Sequence, residues 1–414
     1  MSKGSLLITG VRPWGRAECD ILIRDGIIHE VRPTAGMTSL NDGPPAGEVL
    51  DGRGMLALPS FSDVHAHLDS TRLGLPFRPH TAEPGLLGLI ANDLENWRSA
   101  EESVADRATR TLGLTIASGA TLVRSHAQVD SYSGLDRFEG VVAAREAHSG
   151  RARVQVVAFP QAGIVRDPGT ADLLEKAVAG GADLVGGIDP CAVDRDPARH
   201  LDIVFGIAER HGVGVDIHLH EPGELGAFTI ELVCERVRAL GLQGRATISH
   251  CFALATLPAD RSEALVEQLA ELDIALTTIA PSGQRGLPAD RLAAAGVRLG
   301  LGQDGTRDYW SPFGDGDMLG RAWQLAFTQQ LRRDDHIERT VAIATVGGRS
   351  IAEPGSTTAN WTDSADSLPG IQSGEPADLV LLPGETVTSA VMDRPGNRIV
   401  IHRGNVVAID GSLI

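Results

Sequence analysis

Between about residues 58 and 352, short β-like runs alternate with helical segments, and this alternation constrains the fold more than any other feature of the sequence. Eight such runs can be counted: Ser60 to His67, Thr121 to His126, Arg153 to Phe159, Asp183 to Ile188, Gly214 to His220, Ala246 to His250, Ile274 to Ile279 and Val297 to Gly302. Helical stretches such as Ala198 to Arg210 lie between them. Eight strands, each followed by a helix, are what a closed (β/α)8 barrel needs. A doubly wound sheet would place a glycine-rich phosphate loop after its first strand, but that position reads DVHAHLDS. The fold class expected is therefore α/β, a TIM barrel over residues 58–352.

The two ends have a different texture. Leu6 to Val11, Cys19 to Arg24 and Ile27 to Val31 are short β-like runs parted by Gly, Pro and an Asp-Gly turn, and Ala377 to Leu382 and Arg398 to Ile409 repeat the pattern. Residues 1–57 and 367–414 are expected to pair into one small β-sandwich-like domain. The stretch 353–366, rich in Ser, Thr, Asp and Gly, reads as the linker back to it.

Charge and composition narrow the partners. A net charge of -17 opposes a phosphate backbone, so no nucleic-acid partner is expected. No run approaches the roughly 18 apolar residues that span a bilayer, and MSKGSLLITG lacks the apolar core of a signal peptide. Cys19, Cys191, Cys234 and Cys251 are scattered, without close CxxC pairs. These features point to a cytoplasmic protein with no membrane partner.

His65-Ala66-His67 carries the first chemical signal. Residues two apart on a strand face the same side and can grip one ion together, and this pair ends the first barrel strand, where barrel enzymes put their chemistry. Asp216-Ile217-His218-Leu219-His220-Glu221, Ser249-His250-Cys251 and Gly302-Gln303-Asp304 end later strands. Imidazole with carboxylate and no sulfur suits Zn2+ or Fe2+, and such an ion would acidify water to a pKa of about 7. Glu221, three residues after His218, is a candidate proton shuttle beside that water.

With these residues in place, the chain resembles the amidohydrolase superfamily across nearly its whole length. HAHLDS, VVAFPQAG, DIHLHE, ISH and GQDGTRDYWSPFGDGDM are similar to the branch containing cytosine deaminase and N-isopropylammelide amidohydrolase. The resemblance implies that His65, His67, His218 and Asp304 bind one divalent metal, Zn2+ or Fe2+. It implies that His250 orients the nucleophilic water, with Glu221 and Asp304 moving protons. It also implies that Gln161 bonds the amide edge of a ring and that Trp310 packs on its face. For Gln161 and Trp310, loop bonding and core packing remain the alternatives, and His126 and His220 either touch substrate or only fill the barrel mouth. His29, His80, His148, His200, His211, His336 and His402 lie away from the strand ends and are not expected to ligate.

Members with two metals bridge them through a carboxylated lysine on strand four, which here reads ADLVGGIDP. Lys176 falls in the preceding helical segment, so a single ion is expected; Cys191, just beyond the strand, is a lesser candidate ligand. Two departures blur the substrate. Gly305 stands where cytosine deaminases carry a second aspartate, and Ser70 and Thr71 stand where the isopropylammelide enzymes carry a lysine. The loop Leu73 to Gly85 is expected to shape the pocket, with Arg78 or His80 in reach of substrate. The expected activity is hydrolytic deamination of a small nitrogen heterocycle, such as a cytosine-like pyrimidine, aminotriazine or cyclic amidine. Cyclic amide hydrolysis is the alternative, and a non-catalytic barrel the remote one. A homo-oligomer is compatible with these features.

Overall fold

The computed structural model describes residues 4–34, 47–283, 286–354 and 368–414. Its centre is an eight-stranded parallel sheet in sequential order, formed by Phe61–Ala66, Ala120–Gln128, Arg153–Phe159, Leu184–Ile188, Gly214–His218, Ala246–Ser249, Ala275–Thr278 and Leu299–Leu301. The last strand returns to the first: Asp304 pairs with Ala66 in a parallel bridge, and its amide donates to the His65 carbonyl at 2.7 Å. Helices cover the outside, so most strands are buried on both faces and read as continuous apolar runs rather than alternating ones.

Several strands stop short of the sequence expectation. The fifth ends at His218, the sixth at Ser249 and the eighth at Leu301, so His220, His250 and Asp304 stand just beyond regular structure. The backbone there turns into the left-handed region at Asp189 (φ 35°), His250 (φ 65°), Cys251 (φ 49°), Ala280 (φ 54°) and Asp304 (φ 62°). Such conformations cost on the order of 1 kcal/mol or more for a residue with a Cβ. Here they swing side chains from the strand ends across the barrel mouth.

Both chain ends build one further sheet. Ser5–Pro13 pairs antiparallel with Cys19–Arg24, which pairs with Ile27–Pro33. The short strand Leu56–Pro59 joins the halves, running parallel to Ser5–Pro13 and antiparallel to Leu379–Leu382. Ile8, Ile21, Ile23, Leu56 and Leu58 are fully buried, each burial contributing about 1.5–3 kcal/mol against an exposed state. Three details differ from the sequence expectation. Glu48–Asp51 adds a parallel strand, Arg398 to Ile409 divides into Ile399–His402 and Asn405–Ile409 around Arg403 and Gly404, both left-handed, and Val387–Asp393 is helical behind a Thr386 capping box. Most of the expected linker lies outside the described residues. No described helix is long and apolar enough to cross a membrane.

Candidate metal centre

The strand period brings the first groups together. Asp63 and His65 are two apart on the first strand, as Asp216 and His218 are on the fifth, and all four side chains are buried. His65 Nδ1 lies 3.0 Å from Ser249 Oγ, which donates to Asp216 Oδ1 at 2.6 Å and accepts from Thr277 Oγ1 at 2.8 Å. Since the single hydroxyl proton of Ser249 goes to Asp216, His65 Nδ1 must be the donor to Ser249. Its Nε2 therefore carries the free lone pair, and that atom has no hydrogen-bond partner. Arg124 neutralises Asp216 from below, 2.9 Å from Oδ2.

Above this layer the expected ligands converge. His67 Nε2 is 3.3 Å from His218 Nε2 and 3.4 Å from Asp304 Oδ1, and His65 Nε2 is 3.6 Å from the same oxygen. Ligand atoms around a tetrahedral zinc with bonds of about 2.0–2.1 Å lie about 3.3–3.4 Å apart, so the spacing fits. Two imidazole lone pairs facing each other at such a distance repel unless a proton or a cation lies between them. Burial pushes the His65, His218 and His250 imidazoles below their ordinary range, toward the neutral form that ligates. Burial would raise the Asp304 carboxyl, but the neighbouring His65 and His67 hold it well below the usual carboxylate range. The donor set thus fits a divalent ion held by His65, His67, His218 and Asp304.

His250 is 1% exposed, and neither of its ring nitrogens has a partner. His126 shares that property, and its ligand nitrogen clusters with those of His65 and His218 within 4.8 Å. Of the two readings left open for His126, substrate contact is not favoured, since it is absent from the wall of the large cavity; it fills the barrel mouth directly beside the candidate ligand nitrogens. His220 instead donates from Nδ1 to Asp189 Oδ2 at 2.7 Å, while its ring lies 4.2 Å from that of His250.

A cavity of about 1100 Å³ opens over these groups, with His67, His218, Glu221, His250, Asp304, Gln161 and Trp310 in its wall. Its volume far exceeds that of a bare six-membered ring, so a substituted ring has room. Glu221 is anchored in it: Oε1 accepts from the amides of Cys191 and Ala192 at 2.9 and 2.8 Å, and Oε2 from Thr229 Oγ1 at 2.7 Å. Burial nevertheless raises its carboxyl above the ordinary value, the condition for a group that takes and returns a proton. Gln161 donates from Nε2 to Asp93 Oδ2 at 3.1 Å, and Asp93 in turn pairs with the buried Arg137. A carboxylate only accepts, so the amide orientation follows, leaving Oε1 and one N–H unspent. Trp310 packs against Ile90, Phe159, Ile188 and Val193, as its core reading has it, and also lines the cavity.

Other candidates fall elsewhere. Cys191 bonds Thr229 Oγ1 through Sγ at 3.5 Å and joins no metal-binding cluster among the described residues. Lys176 is exposed on the helix Thr170–Ala179, outside the barrel. Arg78 pairs with Glu101, and His80 reaches the Asp308 carbonyl at 2.9 Å; both line a smaller neighbouring recess, not the large cavity, so neither meets the expectation of substrate contact. From this region the wall of the large cavity takes Gly85, the last residue of that loop, and Leu86 and Leu89 just after it. Asp93, Asp189, Thr229 and Asp308 support the site without having been singled out in the sequence, and Ser249 was noted only as part of a strand-end group. Asp216 had a visible signal, its two-residue spacing from His218.

Comparison with known proteins gives a consistent result. Residues 48–408 match the amidohydrolase family. N-isopropylammelide isopropyl amidohydrolase of Pseudomonas sp. is 28% identical, with 88% of this chain and 89% of that one covered. The crystal structure of N-isopropylammelide isopropylaminohydrolase from Burkholderia multivorans is 37% identical over all of both chains, with a TM-score of 0.89. That of 5-methylcytosine deaminase from Klebsiella pneumoniae, at 24% identity, 97% of each chain and a TM-score of 0.79, shows the same fold.

Proposed function

This chain belongs to the amidohydrolase family, and from that premise we propose that it is a metal-dependent hydrolytic deaminase of a small amino-bearing nitrogen heterocycle. It is a hydrolase of carbon–nitrogen bonds other than peptide bonds, and its relatives act on heterocycles. The observation that carries the finer reading is the convergence of His67 Nε2, His218 Nε2 and Asp304 Oδ1 at 3.3 and 3.4 Å on the wall of a cavity that also holds Glu221.

When bound, a divalent zinc or iron ion would supply a Lewis acid that brings the pKa of water to about 7. Water adds to the amino-bearing carbon, the C–N bond breaks, and the amine leaves having gained a proton. Glu221 takes a proton from the water, delivers one to a ring nitrogen and assists the departing amine. Asp304 acts as ligand and as second proton acceptor, and His250 orients the attacking water through a ring nitrogen that nothing else engages. Gln161 meets the ring's amide edge with the Oε1 and N–H left over from its bond to Asp93. Trp310 supplies an apolar face for the ring. The unpaired cysteines support a reducing, cytoplasmic setting.

The test is release of ammonia or amine from cytosine, 5-methylcytosine, isocytosine, creatinine-like amidines and aminotriazines, using protein loaded with Zn2+ or with Fe2+. Turnover lowered about 10²- to 10⁴-fold by Glu221→Gln is the expected result. A ring-opened acid formed without amine release would replace deamination by cyclic amide hydrolysis.

A further inference from the structure

Asp308 is 3% exposed and sits on the turn that follows the eighth strand. Its two oxygens have different tasks. Oδ1 accepts from the amides of Trp310 and Ser311, both at 2.8 Å, closing the turn that carries Trp310. Oδ2 accepts only from Ser70 Oγ, at a long 3.2 Å, and that hydroxyl is also 3.3 Å from the His67 carbonyl. Among the described residues no cation lies within ion-pair distance of this carboxylate, and burial pushes its carboxyl up to about 6.

Gly305 explains how the carboxylate comes to be there. A Cβ at that position would stand 1.9 Å from Asp308 Oδ2, so a side chain at 305 and this carboxylate exclude each other. Asp308, Gly305 and Ser70 all line the large cavity next to Asp304. The two sequence departures, at 305 and at 70, therefore meet on a single group. A buried carboxylate oxygen with one weak partner and an open cavity before it is an acceptor awaiting a donor.

We infer that Asp308 is a specificity-determining residue, whose Oδ2 accepts an N–H from the ring bound beside Asp304. The site then selects heterocycles that donate at that edge and rejects rings offering only alkoxy groups there, whose lone pairs would face the carboxylate, or alkyl groups, which would bury it without a donor. The inference rests on the proposed heterocycle site but is read by binding, so failure of deamination and failure of donor selection are separable.

The experiment titrates melamine, which carries amino groups on every edge, and trimethoxytriazine, the same ring with acceptors only, into the full zinc-loaded chain by calorimetry. A Glu221→Gln background slows turnover about 10²- to 10⁴-fold during the titration. Asp308→Asn keeps the acceptor for Trp310 and Ser311 and removes the charged Oδ2. It is expected to weaken melamine about 10- to 100-fold and to leave trimethoxytriazine unchanged or tighter. Ser70→Lys, which sets an ammonium against Oδ2 with Asp308 intact, is expected to weaken melamine to a similar degree. A parent chain that does not prefer melamine, or variants that change both ligands equally or neither, would overturn the inference.

Discussion

Two fully buried histidines of the same barrel live in opposite circumstances. His200, on the helix Pro197–His211 outside the fourth strand, has both ring nitrogens occupied: Nδ1 lies 2.6 Å from Asp194 Oδ2, and Nε2 accepts the Ile188 amide at 3.3 Å. His126, inside the second strand, is equally buried, yet neither of its nitrogens has a hydrogen-bond partner, Asp216 Oδ2 standing 4.0 Å from Nε2. An unsatisfied buried polar atom costs about 1–3 kcal/mol, and His65, His218 and His250 add further orphaned nitrogens within the same cluster. His200 is satisfied by the protein itself, and His148 and His402, also away from the barrel mouth, each leave only Nδ1 without a hydrogen-bond partner. Among the buried described histidines only His126 and His250 leave both ring nitrogens without a hydrogen-bond partner, and both stand at the barrel mouth, where the proposed ion and water would meet them.

The contrast is broken most directly at the ligands. Asp304→Ala is expected to abolish stoichiometric metal and to lower amine release at least about 1000-fold, whereas His200→Ala should retain one ion per chain; elemental analysis beside a turnover assay reads both. Equal metal loss in the two variants would erase the distinction. Next in size, Glu221→Gln should cost about 10² to 10⁴ in kcat at unchanged metal content, because the residue moves protons and ligates nothing. Loss of the ion in that variant would transfer Glu221 to the ligand set.

The scaffold side predicts a stability effect. Burial opposes ionisation of Asp194, but His200 and the amides of Ile164 and Val165 more than offset it and lower its carboxyl from 3.8 to about 2. A depressed folded-state pKa contributes stability that is complete above the unfolded value and disappears as pH falls toward the folded one. Asp194→Asn should therefore cost about 1–2 kcal/mol at neutral pH in urea unfolding, with the gap to the parent closing between about pH 4 and pH 2. A pH-independent gap would assign the effect to lost packing. The smallest expected effect is the sharpest: His126→Asn should weaken zinc binding about 10-fold in a competition titration while His200→Asn leaves it unchanged. Unaltered affinity in the His126 variant would return that residue to barrel filling.

Legibility in the sequence followed the range of the interactions involved. The barrel, His65-X-His67, and the strand-end positions of His218, His250 and Asp304 could be read because a two-residue period and the alternation of strand with helix are local properties. The helix Val387–Asp393 and the strand Glu48–Asp51 escaped because a short apolar run does not declare its periodicity.

Sequence by itself thus determined the architecture and the kinds of donor gathered at one end of the barrel. Tertiary structure decided how each donor is aimed. Ser249 fixes the His65 tautomer across 184 residues, Asp93 orients Gln161 across 68, and Asp308 reaches Ser70 across 238. The physical reason is that a hydrogen bond depends on where two atoms meet after the chain has closed, and only left-handed turns such as those at His250 and Asp304, with a glycine at 305, let these atoms meet at the barrel mouth.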